Sequence, residues 1–281
     1  MKILVGIMHS KEPQVEDCIK SVNNQKYNDH YDYFVISGLT KREAHDKLYS
    51  QFMNKQDEFD IFIKLDGDMV IERSDFFIFI EEKFKRYINL DWIRLEVFDY
   101  FLQENMSGLN IYSNTVRWNT NSNNFFTDRT MIKNSVRKDI GIVPSEKWIT
   151  HCKDASLYQA FNFGFHRAIK AFQFNSNKKI YSTLQWNAFL RISKLNNANP
   201  SKMNLLIIAS LAYVVINKIG DAAINEKSKE KKETFLFLSQ LSVDELMNYI
   251  KKSQILNYLS LGKIGFYLLT FKFYLITKFL K

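Results

Sequence analysis

An α/β fold is what this sequence predicts: a mixed, mainly parallel sheet flanked by helices, with a helical region appended at the C-terminus. Three observations predict it. Short apolar runs at Ile3–Met8, Tyr33–Ile36 and Ile61–Leu65 have the length and branched content of buried strands. Segments with helical spacing separate them, and strand, helix, strand, helix, strand is the rhythm of parallel pairing with helices outside. From about Phe172 the strand-like runs give way to long apolar and mixed-charge stretches of helical character.

The elements follow in order. After the first strand, Pro13 suits a helix's first turn, and Val15, Cys18, Ile19 and Val22 recur at helical spacing. Thr40-Lys41-Arg42-Glu43 reads as a capping box that starts a helix running to about Met53. The third strand ends in Asp66-Gly67-Asp68, and Ser74 can cap a further helix to about Tyr87. Trp92–Phe98 alternates apolar and charged residues, as a strand with one polar face does. Leu109–Trp118 predicts another strand, clearest at Leu109–Tyr112, and Asn119–Asn124 reads as a loop. Thr127–Lys138 has no clear period, while Trp148–Lys170 is aromatic and dense in groups able to bind ligands. Met203–Ile219 is almost wholly apolar but short of the roughly 20 residues a bilayer span needs, so it reads as a core helix, with a re-entrant or interfacial segment as the alternative. Ser242-Val243-Asp244-Glu245 is a second capping box, opening a helix through Ile250.

A chain of 281 residues has room for one large domain with an appendage, here 1–171 and 172–281. Hydrophobic content of 46% with 25% charged residues excludes a disordered chain, and 3 prolines with 9 glycines argue against a loop-dominated all-β one. Cys18 and Cys152 are too few for a disulfide framework or a cysteine-built zinc site. Without a leader-like opening, the cytoplasm is the expected compartment. The net charge of +9 admits phosphate-bearing substrates, acidic lipid or nucleic acid. Past Glu245 there is no acidic residue, and Lys251, Lys252, Lys263, Lys272, Lys278 and Lys281 alternate with large apolar side chains. That suits an anionic membrane surface, the inner face of the inner membrane, and no nucleic-acid-binding motif accompanies it.

Asp66-Gly67-Asp68 holds the chemistry. Two carboxylates one residue apart at a strand end can reach one hard cation, and the glycine lets the backbone turn closely. Ligands of parallel sheets bind beyond the carboxyl ends of the strands, where these two stand. The competing reading is a plain hairpin, since Asp-Gly between apolar runs is a strong turn signal.

With these pieces placed, the chain resembles the GT-A-fold (Rossmann-like) nucleotide-sugar glycosyltransferases, close to glycosyltransferase family 2 and to its bacterial surface-polysaccharide or lipopolysaccharide members. Ile3–Ser10 resembles their first strand, Cys18-Ile19-Lys20-Ser21-Val22-Asn23-Asn24-Gln25 their Cys-x-x-Ser-x-x-x-Gln helix, and Lys64–Met69 their Asp-x-Asp strand end. The likeness covers about Lys2–Lys170. Two departures stand out: Ser37-Gly38 replaces the usual acidic end of the second strand, and no recognisable Glu-Asp pair follows the Asp-x-Asp motif.

What the resemblance implies is inverting transfer of a sugar from a nucleotide-sugar donor to a glycan or lipid-linked acceptor, with Mn²⁺ or Mg²⁺ as cofactor. Asp68 would bind the metal directly, Asp66 the metal or the ribose, and His151 would be a third metal ligand. With the acidic strand end replaced, nucleotide recognition would fall to Ser10, to the Arg42–Asp46 helix start or to backbone groups. His45-Asp46 would contact donor or acceptor, and His166-Arg167 the diphosphate. Asp154, Glu96 and Asp99 compete for the role of catalytic base. The alternatives are a nucleotidyltransferase, for which Ile7–Lys11 lacks the glycine-rich phosphate loop, and a catalytically silent membrane-bound scaffold.

Overall fold

Every residue of Ile3–Met8 (β1) is buried, as a strand covered on both faces must be. The structure, a computed structural model, describes residues 1–120, 128, 131–132, 138–173, 182–219 and 228–279. The described chain forms two units, Met1–Ala155 and Ser156–Lys281. The helix at Leu157–Phe172 therefore belongs with the helices that follow it, not with the sheet.

In the first unit β1 is followed by Val15–Asn23 (α1), Tyr31–Ile36 (β2), Lys41–Asn54 (α2), Ile61–Asp66 (β3), Met69–Ile71 (β4) and Phe76–Arg86 (α3). Trp92–Asp99 (β5), Glu104–Ser113 (β6), Asp139–Ile142 (β7) and Ile149–His151 (β8) complete it. The sheet runs β2-β1-β3-β6-β5-β8-β4, with β7 also on β5. β1 pairs in parallel with β2 and β3, and β5 with β7 and β8, while β3/β6, β5/β6 and β4/β8 are antiparallel. The fold is mixed α/β, and its longest ladder is the antiparallel β5/β6 one.

Alternation along β1 and β3 supplies two cores. Ile3, Val5, Ile7, Ile61, Ile63 and Leu65 pack toward Cys18 and Val22 of α1 and Phe76, Phe77 and Ile80 of α3. Leu4, Met8 and Phe62 pack on the other face toward Leu48, Tyr49 and Phe52 of α2. The Thr40 capping box is formed as its sequence predicts.

Three expectations change. The hairpin reading of Asp66-Gly67-Asp68 fails, because β4 pairs with β8 and not with β3. The strand expected over Leu109–Trp118 begins at Glu104 and ends at Ser113; its first half is solvent-facing and lacks an apolar signal. The helix expected from Ser74 has Asp75 as its N-cap residue, with no side-chain cap bond. Strands β7 and β8 have only four and three residues, too short for a period to show. Most of the loop expected at Asn119–Asn124 lies outside the described residues.

The second unit comprises Leu157–Phe172 (α4), Ser182–Ala198 (α5), Lys202–Asn217 (α6), Lys229–Gln240 (α7), Val243–Lys252 (α8), Ile255–Ser260 (α9) and Gly262–Phe279 (α10). The apolar run is α6, with Leu205–Ala212 buried throughout, so it is the centre of a helical core. Among the described residues no helix is long and apolar enough to cross a membrane. Helices α4 and α6 meet backbone to backbone: a Cβ on Gly164 would lie 2.5 Å from the Ile207 carbonyl oxygen and 2.9 Å from its Cα. Neither atom can swing aside, so Gly164→Ala is expected to destabilise the protein by about 1–3 kcal/mol, as overpacking does. Urea denaturation checks it; an unchanged midpoint would contradict so close a crossing.

Candidate metal centre

The end of β3 is drawn against the end of β1. The Gly67 amide donates to the Met8 carbonyl at 2.8 Å. A Cβ at this position would stand 2.5 Å from the His9 Cβ, so a side chain here collides with the neighbouring loop. The next residue, Asp68, leads into β4, where Met69 pairs with His151 and Ile71 with Ile149. One step further the Cys152 amide donates to the Asp68 carbonyl at 2.9 Å. Cys152 has φ of 57° and Asp154 φ of 51°, left-handed conformations that are uncommon outside glycine and that cluster at functional sites.

This pairing brings three ligand types together. His151 Nε2 lies 3.4 Å from Asp68 Oδ2, and Cys152 Sγ lies 3.3 Å from the same oxygen and 3.5 Å from His151 Nε2. Among the described residues, this is the one group of three His, Cys, Asp or Glu side chains whose ligand atoms all fall within 4.8 Å of one another. On the far side of the ring, His151 Nδ1 stands 2.8 Å from Asp99 Oδ2. Asp99 is fully buried, and its other oxygen accepts from the Leu102 amide at 2.8 Å. The parallel register of β5 and β8 sets Asp99 beside His151, and the carboxylate fixes the ring as supporting carboxylates do at metal sites.

Burial alone would raise the Asp68 carboxyl, yet the His151 imidazole and the Cys152 thiol hold it below the ordinary carboxylate value. For His151, burial would lower the pKa, and the charge of Asp68 with hydrogen bonds donated by the ring to Asp68 and Asp99 raises it well above the usual imidazole value. The Cys152 thiol is pushed up to about 12, chiefly by burial. Cys152, His151 and Asp99 thus have the order of a thiol–imidazole–carboxylate relay, but the thiol's burial is the reverse of what an activated nucleophile needs.

Asp66 stands in a separate cluster. Lys64 is buried, and its Nζ lies 3.2 Å from Asp66 Oδ1 and 3.5 Å from Asp128 Oδ1. Burial would lower the Lys64 pKa, but Asp128 and Asp66 raise it above the usual value, so the side chain is a cation. His45 Nε2 lies 3.4 Å from the same Asp128 oxygen, and the Tyr49 hydroxyl donates to it at 3.0 Å. Lys64 opens the stretch that resembles the Asp-x-Asp strand end but has no assigned role there, and Asp128 falls in the stretch with no period.

The other predicted residues are more scattered. Ser10 is exposed, and its amide donates to Glu12 Oε2 at 2.6 Å. Burial pushes the Glu12 carboxyl up to about 7, with the charges of Asp68 and Asp66 adding to it, so Glu12 belongs to the same edge although no motif marks it. Asp46 pairs with Arg42 along α2 at 3.9 Å. Glu96 lies on the face of β5 opposite Asp99 by strand alternation. Asp154 is exposed and, with Gln14, Asp17, Lys20, Glu72 and Lys153, lines a cavity of about 640 Å³. Arg167 and His166 lie in the second unit, where Arg167 bonds Gln185 at 3.0 Å and His166 Nε2 meets the buried Lys231 at 3.0 Å.

Asp99 touches the imidazole and none of the other ligand atoms, so Asp99→Asn is a clean test of its support. The expected outcome is a divalent-cation affinity lowered about 10- to 100-fold, read by calorimetric titration; unchanged affinity would remove Asp99 from the centre.

No family model matches this chain, and no curated protein matches it. Among the solved structures that are partly similar are two of differing coverage. The A197 protein from STIV shares 17% identity over 40% of this chain and 65% of its own, with a TM-score of 0.31. TarS from S. aureus shares 10% identity over 94% of this chain and 55% of its own, with a TM-score of 0.37. The chain therefore spans less than two thirds of either protein, and likeness at these scores carries no argument about fold or activity.

Proposed function

We propose that this protein is a divalent-cation-dependent glycosyltransferase of GT-A type. It would move a sugar, with inversion, from a nucleotide-sugar donor to a cell-surface glycan or lipid-linked acceptor. The observation that carries the reading is the meeting of Asp68 with His151 just beyond the carboxyl end of β3, beside the end of β1. That edge is where parallel strands receive ligands. A carboxylate, an imidazole and a thiol make a donor set that fits a divalent cation.

A cation bound there supplies charge neutralisation for the diphosphate of the departing nucleotide. The chain's own residues do the rest. Asp68, His151 and Cys152 would hold the cation, and Asp99, on His151 Nδ1, fixes the ring so that Nε2 would face it. Asp66, anchored by Lys64, is the group offered to the ribose. The acceptor hydroxyl must lose its proton as it attacks, and a base works best with a pKa near the working pH. Glu12 has that value by burial, and Asp154 lines the adjoining cavity, where an acceptor has room. Asp99 and Glu96 are less suited, the first with both oxygens engaged and the second on the opposite face of its strand.

The test is thermal denaturation with UDP-, GDP-, CMP- and TDP-linked sugars, with and without divalent cation. One donor class is expected to raise the melting temperature only with cation, by mass action on the folded state, and Asp68→Asn is expected to abolish that rise. A well-folded protein that responds to none of them would overturn the reading.

The acceptor side of the proposal includes an anionic membrane surface. On α10, Phe266 and Leu269 are buried, whereas Ile264, Tyr267, Leu268 and Phe271 are exposed, with Lys263 and Lys272 along the same helix. An apolar exposed stripe with lysines and no acidic residue matches a headgroup region. Replacing Ile264, Leu268 and Phe271 together by Glu is expected to abolish co-sedimentation with phosphatidylglycerol vesicles; undiminished binding would rule this helix out.

A further inference from the structure

Two cysteines are too few for a cysteine-built zinc site, yet Cys152 does not stand alone. Its Sγ, His151 Nε2 and Asp68 Oδ2 form a triangle with edges of 3.3, 3.5 and 3.4 Å. Ligands about 2.0–2.3 Å from a tetrahedral zinc ion are roughly 3.3–3.6 Å apart. Oxygen ligands about 2.0–2.1 Å from octahedral Mg²⁺ are only roughly 2.9–3.0 Å apart along an edge. The triangle therefore matches one face of a tetrahedron around the larger-edged ion.

We propose that Asp68, His151 and Cys152 are three protein ligands of a zinc-class cation (Zn²⁺, Co²⁺ or a similar borderline ion), with the fourth position left for a substrate oxygen or water. This deepens the glycosyltransferase reading, on which it rests for the ion's purpose, by replacing Mn²⁺ or Mg²⁺ with a softer ion. Three features converge on it. Imidazole and thiolate are donors that select borderline ions, whereas Mg²⁺ takes oxygen and keeps its water. Three protein ligands with one open position is the pattern of a catalytic zinc rather than a structural one. Asp99 on His151 Nδ1 is the supporting carboxylate that such a histidine has. On binding, the Cys152 thiol and the His151 imidazolium Nε2 each release a proton to solvent, and the freed sulfur and nitrogen lone pairs form the metal bonds. The two anionic ligands then balance the charge of the divalent ion.

Cobalt titration of the metal-free full-length protein decides it. Wild type is expected to bind one Co²⁺ with a thiolate-to-cobalt charge-transfer band in the near ultraviolet and the intense visible bands of a four-coordinate ion. Zn²⁺ is expected to displace the cobalt at stoichiometric amounts, and Mg²⁺ in large excess to leave it bound. Cys152→Ser should lose the charge-transfer band and weaken Zn²⁺ binding by more than the about 10- to 100-fold that a supporting residue costs. The wild-type spectrum decides the matter by itself if the variant fails to fold. No charge-transfer band in wild type, or Mg²⁺ displacing cobalt as readily as Zn²⁺, would overturn the proposal by reducing Cys152 to a hydrogen-bonded thiol. That failure is distinct from failure of glycosyl transfer: a Mg²⁺-dependent response to a nucleotide sugar would survive the first, and a cobalt–thiolate band without any nucleotide-sugar binding would accompany the second.

Discussion

Two residues have to span a large separation in the sheet. Strands β3 and β4 are four positions apart in the strand order, about 19 Å in a flat sheet at about 4.8 Å per strand. Only Gly67 and Asp68 separate them in sequence, and three Cα steps reach no more than about 11 Å. The sheet must therefore curl until its β4 edge returns to the carboxyl end of β3. Everything at the candidate site follows from that closure. The Gly67 amide binds the end of β1, β8 comes alongside β4, and a residue from the third strand's turn meets two residues from Ile149–Cys152.

The closure also sorts the charges. Lys64 faces the α2 side of β3, and a buried ammonium is tolerable only with carboxylates beside it; Asp66 and Asp128 meet that need. Asp68, two residues past Asp66, answers to His151 and Cys152 instead. The two acids of one short motif are thus drawn into different electrostatic surroundings, one organised by a lysine and the other by a histidine.

What could be read from the sequence was local. The runs at Ile3 and Ile61 declare themselves because both faces of those strands are covered. The run at Tyr33 does so by its apolar letters, although its strand is a half-exposed edge. The Thr40 and Ser242 capping boxes are legible because each closes within four residues. The closure itself was not legible. Strand β8 is too short to show a period, and the partner of β4 lies about eighty residues away, beyond any spacing rule. Asp-Gly between apolar runs therefore reads equally well as a hairpin. Cys152 stands out only as one of several polar groups in an aromatic segment, and nothing local distinguishes it from Cys18, which faces the α1 core. Lys64 passes as one polar letter in an apolar strand. Asp128 sits where neither period nor motif gives it a place.

The pairing of Met69 with His151 also has a temporal side. Joining β1 to β2 pairs residues 28 apart and β1 to β3 residues 58 apart, whereas joining β4 to β8 pairs residues 78 to 82 apart, and chain entropy charges more for the longer ring. Contacts of that separation form after local ones have reduced the freedom of the chain. The three parallel strands and their helices can therefore be in place while the ligand atoms of Asp68, His151 and Cys152 are still apart. The candidate centre thus rests on the strand pairing of greatest sequence separation among the described residues.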